Sequence, residues 1–442
     1  MSPAQGTTQA DVQDMVLTSC RTRGPRVLLV KGGPGCGKTA LLDLVAEQAR
    51  AAGAQVLKAA AGRPREKWGV IRELTGARAD FVRSRALADD TGCHPESAAA
   101  AFRDHLRTLA ATGPVVLCVD DVQQADPESL RHLRDLVRHM PFAPIVVVLT
   151  APAHGTRWED LCTKTVLRGP HVHCVRLGLL SSHDVERTLV AETGTHGPDL
   201  PRMAARLHRL SGGNPMLLHA LLAENAAFQQ PSCDGLFARA VTDCLRRSGP
   251  EAVATARALA VLGDHPIGKT LLDALVDGGA PEALTGLAAL RACGLLDGLG
   301  RREPAVRAAA LADSDAPTRA RLRLRAAHAL RAAQASPVAV AAHLLALVAD
   351  GSHGCLRDTD QELMAHTVRD LFEEAHVLRE RGQAARGASL LQAARRLALL
   401  VGDAAAREVP SPISRLDSLR GSARGQAAEP ALVTAGAAPT KN

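Results

Sequence analysis

The 442-residue sequence predicts an α/β domain with a buried parallel sheet in its first half and an all-helical second half. Strand-like apolar runs alternate with helical patterns between residues 26 and 176, and such runs stop after about Ser181. This alternation is typical of a doubly wound parallel sheet with helices on both faces. Aromatic residues make up only 2% of the chain, so Leu, Val and Ala must build the cores, which favours helical packing over an all-β sandwich.

Five segments are predicted to form the strands of the sheet. They are RVLLVK (26–31), QVLKAA (55–60), PVVLCVDD (114–121), PIVVVLT (144–150) and HVHCVRL (171–177). Four of them are continuously apolar rather than alternating, as expected for strands that are buried on both faces. Helical patterns such as TALLDLVAEQARAA (39–52) and AAAAFRDHLRTLAAT (98–112) lie between them.

The second half of the chain carries helical patterns. Residues 203–227 are predicted to form a helix, a glycine-rich break and a second helix. Short helices follow up to residue 312, with a hairpin-like stretch after Gly294 that is typical of a winged helix. Residues 316–403 are predicted to form amphipathic helices throughout. The last residues are rich in Ala, Gly, Pro and Ser without apolar periodicity, which predicts a disordered tail.

The charge of the chain does not indicate a nucleic-acid partner by itself. The formal net charge is +7, and only seven of the 53 basic residues are Lys. The densest basic run, from Arg319 to Arg331, alternates with Leu and Ala at helical spacing. Such spacing favours a solvated helix face over a phosphate-binding stripe, so direct DNA binding is not expected.

Cysteine spacing and hydropathy exclude several other classes of protein. The ten Cys include no C-x-x-C pair, so we expect neither a zinc site nor a disulfide framework. The first residues lack the layout of a signal peptide. No apolar run approaches the roughly 20 residues that span a bilayer. These observations predict a soluble, cytoplasmic protein with no membrane partner.

The first chemical motif is GGPGCGKT (32–39), which follows a predicted strand and precedes a predicted helix. Glycines allow several backbone N–H groups to turn towards phosphate oxygens, and the helix N-terminus adds positive potential. Lys38 supplies a charge to the β- and γ-phosphates, and Thr39 supplies a hydroxyl to Mg²⁺. The predicted nucleotide-binding residues are Gly32, Gly33, Pro34, Gly35, Cys36, Gly37, Lys38, Thr39 and Ala40.

A second part of the same site is predicted at the end of the third strand. The run VVLCVDD places Asp120 and Asp121 where a buried strand would leave the sheet. Asp120 is the predicted Mg²⁺ contact together with Thr39, largely through water, because Mg²⁺ keeps much of its hydration shell. Asp121 is predicted to orient or deprotonate the attacking water, and with Lys38 it forms the predicted catalytic pair.

A second match to the same pattern, GDHPIGKT (263–270), lacks this context. Ala-rich helical spacing precedes it, and Pro266 donates no N–H. The nearest downstream carboxylate after an apolar pair is Asp297, and that run is too short for a buried strand. We therefore interpret Lys269 and Thr270 as ordinary residues at the start of a helix.

Three stretches together resemble the ATPase module of the large ATP-binding regulators of the LuxR family. They are GGPGCGKTALL (32–42), VVLCVDDVQQADPESLRHL (115–133) and LSGGNPMLL (210–218). That family belongs to the signal-transduction ATPases with numerous domains (STAND), a branch of the AAA+-like P-loop proteins. The resemblance extends over residues 26–403 and implies an α/β P-loop NTPase with sheet order 5-1-4-3-2, followed by an all-α lid, a winged helix and helical repeats.

The resemblance also implies a domain organisation and a switch. The expected segments are an N-terminal extension (1–25), a P-loop NTPase domain (26–190), a helical lid (191–232), a winged-helix-like domain (233–312), a TPR-like repeat region (313–405) and the tail (406–442). The switch would be closed with ADP and open to self-association with ATP, and an unknown protein or small molecule would bind the repeats. Pro215 would pack on the adenine, although a Gly-Asn-Pro break is by itself more often only a turn.

The sequence departs from the family in several places. ADVQDM (10–15) replaces the usual Gly-Arg-x-x-Glu segment, and Gln123-Gln124 replaces a pair that ends in Trp. The fourth strand leads to Pro152 rather than to a sensing Arg, for which Arg157 is the nearest substitute. Glu303 stands where the family has a His that faces the phosphates. The tail replaces the helix-turn-helix, so we expect no output domain.

These departures leave three interpretations open. The first is a nucleotide-binding regulatory ATPase, a transcriptional-regulator module that hydrolyses ATP slowly. The second is a nucleotide-binding or scaffold protein whose ATPase core is catalytically degenerate. The third is a DNA-binding protein that acts through the winged helix and the basic run at Arg319.

Overall fold

The computed structural model describes most of the chain. The described residues are 12, 14–18, 26–62, 67–75, 95–139, 144–153, 172–226, 229–232, 234–263, 265–266, 268–296, 304–349 and 357–399. The chain divides into two units, Met1–Ser314 and Asp315–Asn442. The predicted tail, the part of the hairpin-like stretch after Gly294 that begins at residue 297, and the residues Arg157, Asp297 and Glu303 lie outside the described residues.

The first unit contains a five-stranded parallel sheet. Its strands are β1 (Arg26–Gly32), β2 (Gln55–Ala60), β3 (Val115–Asp120), β4 (Ile145–Pro152) and β5 (Val172–Arg176). The order across the sheet is β2-β3-β4-β1-β5, and all four neighbouring pairs are parallel. This is the predicted order 5-1-4-3-2, so the predicted fold class is confirmed.

The sheet separates two hydrophobic cores. Alternate residues of β1 face opposite sides, so that Val27 and Leu29 join one core while Leu28 and Val30 join the other. Every residue of β3 is buried, which explains why the central strands are continuously apolar. The edge strands β2 and β5 are only partly buried.

Four helices of the first unit follow the first three strands. They are α1 (Lys38–Ala51), α2 (Gly69–Thr75), α3 (Pro95–Thr112) and α4 (Pro127–His139). Helix α1 packs in the second core through Leu41, Leu42 and Val45. The other three pack in the first core, to which Phe102 of α3 contributes a fully buried ring. Helices therefore cover both faces of the sheet.

Eight further helices are described in the first unit. They are α5 (Ser182–Thr193), α6 (Leu200–Ser211), α7 (Pro215–Ala223), α8 (Leu236–Ser248), α9 (Pro250–Leu262), α10 (Lys269–Leu275), α11 (Ala280–Ala292) and α12 (Pro304–Ala312). Helix α5 begins with a capping box, in which Ser181 and Asp184 each bond the other's backbone N–H. Helices α8, α9, α11 and α12 pack against one another.

The second unit is helical wherever it is described. Its helices are α13 (Ala316–Ala332), α14 (Pro337–Ala349), α15 (Asp358–Glu380) and α16 (Ala384–Ala398). Helix α13 packs on α14, and α15 packs on α16. No helix in the described parts of either unit is long and apolar enough to cross a membrane.

Candidate nucleotide-binding site

The loop between β1 and α1 has the backbone shape that its glycines predict. The strand ends at Gly32 and the helix begins at Lys38. Gly35 and Gly37 have φ angles of 75° and 89°, a left-handed conformation that side-chain-bearing residues adopt only at a cost. Gly37 is also the N-cap of α1 and offers no side chain to its first N–H groups. Those N–H groups and the helix dipole are therefore available to an anion.

Close backbone contacts explain the other glycines of the loop. A Cβ added to Gly33 would lie 2.2 Å from the carbonyl oxygen of Ala292, at the end of α11. A Cβ added to Gly35 would lie 2.6 Å from Oδ1 of Asn214, which precedes α7. Two helical segments thus touch the loop so closely that neither position has room for a side chain.

Lys38 folds back over the loop. Its ammonium nitrogen donates hydrogen bonds to the carbonyl oxygens of Gly32 at 3.1 Å and Gly33 at 2.9 Å. The charge therefore lies against the loop backbone, in a partly buried position. A positive charge held beside the N-terminus of α1 adds to the potential that attracts phosphate.

The two predicted magnesium ligands meet in the structure. The hydroxyl of Thr39 donates to Oδ2 of Asp120 at 2.7 Å, although 81 positions separate the two residues. The parallel arrangement causes this meeting, because the carboxyl ends of β1 and β3 lie at the same edge of the sheet. Asp120 is only 8% exposed. Hydroxyl and carboxylate oxygens are the hard donors that Mg²⁺ prefers, so the donor set fits that ion.

Thr150, which no sequence motif indicates, completes this cluster from the neighbouring strand β4. Its buried hydroxyl donates a short hydrogen bond to Oδ1 of Asp120 and accepts one from the backbone N–H of Asp121 at 2.8 Å. Thr150 is the one polar residue at the end of the apolar run IVVVLT, and that is the signal that could have identified it.

Asp121 is held in an unusual backbone conformation. Its φ is 48°, which is left-handed and uncommon for a residue other than glycine. Its Oδ1 accepts a hydrogen bond from the side-chain amide of Gln123 at 3.1 Å. The structure therefore places the predicted water-activating carboxylate next to Asp120 with a defined orientation. Its predicted role in catalysis stays a prediction.

The Gly-Asn-Pro break lies on the loop. Asn214 donates a side-chain hydrogen bond to the carbonyl oxygen of Pro34 at 2.9 Å. The backbone N–H of Met216 donates to the carbonyl oxygen of Gly35 at 3.2 Å. Pro215 is the first residue of α7 and stands between these two contacts. Pro215 therefore lies beside the loop, and its packing on adenine stays a prediction.

The remaining predicted loop residues differ in their surroundings. Cys36 is buried in the second core, and burial raises the pKa of its thiol, while the nearby charge of Lys38 opposes the shift. Ala40 is exposed on the first turn of α1. Pro152 ends β4 and is in register with Gly32, so it lies at the same edge of the sheet as the loop.

The second pattern match has none of this structure. Helix α9 precedes it where the first match has a strand. Gly263 ends that helix and Gly268 begins the seven-residue helix α10. Lys269 and Thr270 are exposed. The prediction that they are ordinary residues at a helix start agrees with this geometry.

A family model for an ATPase domain matches the part of the chain that contains the phosphate loop. Residues 6–148 match the family model AAA_16, described as an AAA ATPase domain. The matched segment contains the loop, β3 and the first residues of β4. The comparison with curated proteins found no match.

Several solved structures are similar to the chain at low identity. A STAND protein with a tetratricopeptide repeat sensor from Pyrococcus horikoshii is 15% identical, with a TM-score of 0.33 over 86% of this chain. The chain spans 57% of that protein's length. The Aeropyrum pernix ORC2 protein (ADPNP-ADP complexes) is 17% identical, with a TM-score of 0.41 over 70% of this chain and 94% of that one.

AMPPCP-bound DnaA from Aquifex aeolicus is 13% identical, with a TM-score of 0.35 over 89% of this chain and 95% of that one. These values establish no shared activity. The family match has a firmer basis, because it includes the residues of the loop and of the acidic strand. Residues 6–148 thus match an AAA ATPase domain, and the phosphate loop lies within the matched segment.

Proposed function

We propose that this chain binds ATP and ADP with Mg²⁺ at the Gly32–Ala40 loop and acts as a STAND-type regulatory ATPase. The observation that carries the proposal is the 2.7 Å hydrogen bond between Thr39 and Asp120. It joins the end of a glycine-rich loop to the end of a buried acidic strand. An acidic residue that only capped a helix N-terminus would not need a glycine-rich loop beside it.

Each polar residue of the cluster has a role in this proposal. Lys38 exchanges its two loop carbonyls for phosphate oxygens, which are stronger acceptors because they carry negative charge. Thr39 and Asp120 hold Mg²⁺, which neutralises part of the triphosphate charge when it is bound. Thr150 fixes the Asp120 carboxylate. Asp121 lies beside that group, where it can orient a water molecule.

The magnesium part of the proposal is tested by binding measurements with and without the metal. Wild type is expected to bind a fluorescent ATP analogue more tightly with Mg²⁺ than with EDTA. Thr39→Ala and Asp120→Asn are expected to lose most of that difference, and the double variant should lose no more than either single one. Equal affinities for wild type with and without Mg²⁺ would contradict the assignment of Thr39 and Asp120.

We further propose that the chain is a regulatory module, as in transcriptional regulators of the resembled family. The contact between the loop and the end of α11 supports this proposal, because nucleotide binding and helix packing then act on the same backbone. The proposed states are closed with ADP and self-associating with ATP, in the cytoplasm. Light scattering of the protein with each nucleotide tests this; equal masses would exclude nucleotide-dependent self-association.

A second candidate function is nucleotide binding without hydrolysis. Pro152 favours it, because the β4 residue in register with Gly32 offers no cation to the γ-phosphate. Phosphate release by wild type and Asp121→Asn separates the two candidates. Slow release that the variant abolishes supports a regulatory ATPase, whereas equal background release in both supports the non-hydrolysing protein.

A further inference from the structure

Asn214 is fully buried and links three segments of the first unit. Its Oδ1 accepts hydrogen bonds from the backbone N–H groups of Met216 at 3.0 Å and Leu217 at 3.4 Å. This acceptor caps the N-terminus of α7, as Asn does at many helix starts. The cap fixes the side chain, so its amide nitrogen points in a defined direction.

The amide nitrogen holds two carbonyl groups that belong to different elements. It donates to the carbonyl oxygen of Pro34 at 2.9 Å and to that of Cys293 at 2.9 Å. An amide has two N–H groups, so both donors are used. Pro34 lies within the phosphate loop, and Cys293 directly follows α11. One side chain therefore joins the loop, the start of α7 and the end of α11.

The three segments are in such close contact that no side chain fits between them at Gly33 or Gly35. The Cβ positions of Gly33 and Gly35 would overlap Ala292 and Asn214 respectively. The carbonyl group of Pro34 belongs to the backbone that must turn its N–H groups towards a phosphate. A change in that backbone therefore changes the carbonyl that Asn214 holds. The nucleotide and the amide of Asn214 act on the same few peptide groups.

We propose that Asn214 is a latch that holds the phosphate loop against the end of α11 and limits how fast nucleotide enters and leaves. The role in nucleotide exchange rests on the proposed function, because it requires that the loop binds nucleotide. The latch itself does not, because its hydrogen bonds are present without any ligand. Asn214 acts through the loop backbone and is therefore a positioning residue.

The alkylation rates of two buried thiols beside Asn214 measure whether its hydrogen bonds to the loop and to the end of α11 are formed. The sulfur atom of Cys244 lies 3.6 Å from the amide nitrogen of Asn214. The carbonyl oxygen of Cys293 accepts a hydrogen bond from the same nitrogen. Burial raises the pKa of Cys244 to about 12 and that of Cys293 to about 11. Protonated, buried thiols react slowly with alkylating reagents, so their reaction rates measure opening of this contact.

The test uses Asn214→Asp and Asn214→Ser in the full chain. Both keep an oxygen that can cap α7, but neither side chain can donate to the two carbonyls at once. N-ethylmaleimide labelling, followed by mass spectrometry, is expected to be about tenfold faster at Cys244 and Cys293 in both variants, because at least one buried carbonyl group loses its hydrogen bond. Cys118, buried in β3, is the internal control and should keep its wild-type rate.

A parallel measurement follows release of a fluorescent ADP analogue, which is expected to be faster in both variants. Unchanged labelling of Cys244 and Cys293, or labelling that rises only together with Cys118, overturns the latch. Faster labelling with unchanged ADP release overturns its role in exchange. Absence of binding by wild type contradicts the proposed function, and the thiol rates then still decide whether the latch exists. Asn214→Ser introduces no charge, so it decides the question if Asn214→Asp does not fold.

Discussion

Two segments of this chain, Gly32–Thr39 and Gly263–Thr270, share the pattern G-x-x-x-x-G-K-T. The first connects strand β1 to a 14-residue helix and meets an acidic strand through Thr39 and Asp120. The second connects helix α9 to a seven-residue helix and ends in two exposed side chains. The residues of the motif therefore predict a phosphate loop only when a strand, a helix and a carboxylate surround them.

The backbone of the two segments differs as much as their surroundings. In the first, Gly33 and Gly35 are in such close contact with other segments that a Cβ has no room. In the second, a Cβ on Gly268 would meet nothing within 4 Å. Close contacts thus require glycine at Gly33 and Gly35 of the first segment. No close contact requires it at Gly268 of the second segment. Matched substitutions in the two segments should therefore have different effects.

The largest difference is expected for the two lysines. Lys38→Ala should weaken binding of Mg-ATP by about 10- to 100-fold or more, because a charged group is removed from the phosphates. Lys269→Ala should leave the affinity within about twofold, since Lys269 is exposed at a helix start. Equilibrium binding of a fluorescent ATP analogue measures both. Equal losses in the two variants would mean that the second segment also binds nucleotide.

The two glycines Gly33 and Gly268 provide the next comparison. Gly33→Ala should lower the free energy of unfolding by about 1–3 kcal/mol, because its Cβ overlaps the carbonyl oxygen of Ala292. Gly268→Ala should change it by no more than about 0.5 kcal/mol, since the position is open and its φ is −97°. Chemical denaturation of both variants gives the values. A neutral Gly33→Ala would show that the contact with α11 is absent in solution.

Two buried threonines provide the third comparison: Thr150 in β4, which pairs with β1, and Thr255 in α9, which precedes Gly263. Thr150→Val should cost about 1–2 kcal/mol of stability and weaken the Mg²⁺ dependence of binding, because Asp120 and the Asp121 N–H lose a partner. Thr255 of α9 is equally buried, but its hydroxyl has no partner among the described residues. Thr255→Val should therefore be neutral or slightly stabilising. Denaturation curves that rank the two variants in the opposite order would contradict the hydrogen bonds assigned to Thr150.

The smallest effect is expected for Cys36→Ala. The thiol is buried beside Gly32 and in the second core, so it does not face a phosphate. Affinity for Mg-ATP should change by less than about threefold, with a loss of about 1 kcal/mol of stability from the space left behind. Because burial raises the pKa of this thiol, its alkylation at pH 8 should also be slow. A large loss of affinity would show that the side chain contributes directly to the site.

The sequence predicted the sheet and the centre of the site because both depend on local patterns. The continuous apolar runs identified β1, β3 and β4, and the resemblance supplied their order. Lys38, Thr39, Asp120 and Asp121 were identified because a loop and an acidic strand end carry recognisable residues. Their meeting follows from parallel strands whose carboxyl ends share one edge.

The parts that the sequence did not predict depend on contacts between distant segments. Thr150 ends an apolar run without any motif of its own. Asn214 was noticed only as part of a helix break, because a single amide that bonds Pro34 and Cys293 has no pattern in sequence. The close approach of Ala292 to Gly33 likewise joins residues that lie far apart in the chain. Such contacts are set by packing and not by spacing.

The number of nucleotide sites per chain shows whether only the Gly32–Ala40 loop binds nucleotide. Isothermal titration of the full chain with a non-hydrolysable ATP analogue and Mg²⁺ gives this number together with the affinity. The expected result is one site per chain, which Lys38→Ala removes and Lys269→Ala preserves. Two sites per chain, or one site that survives Lys38→Ala, would mean that nucleotide binds outside the Gly32–Ala40 loop.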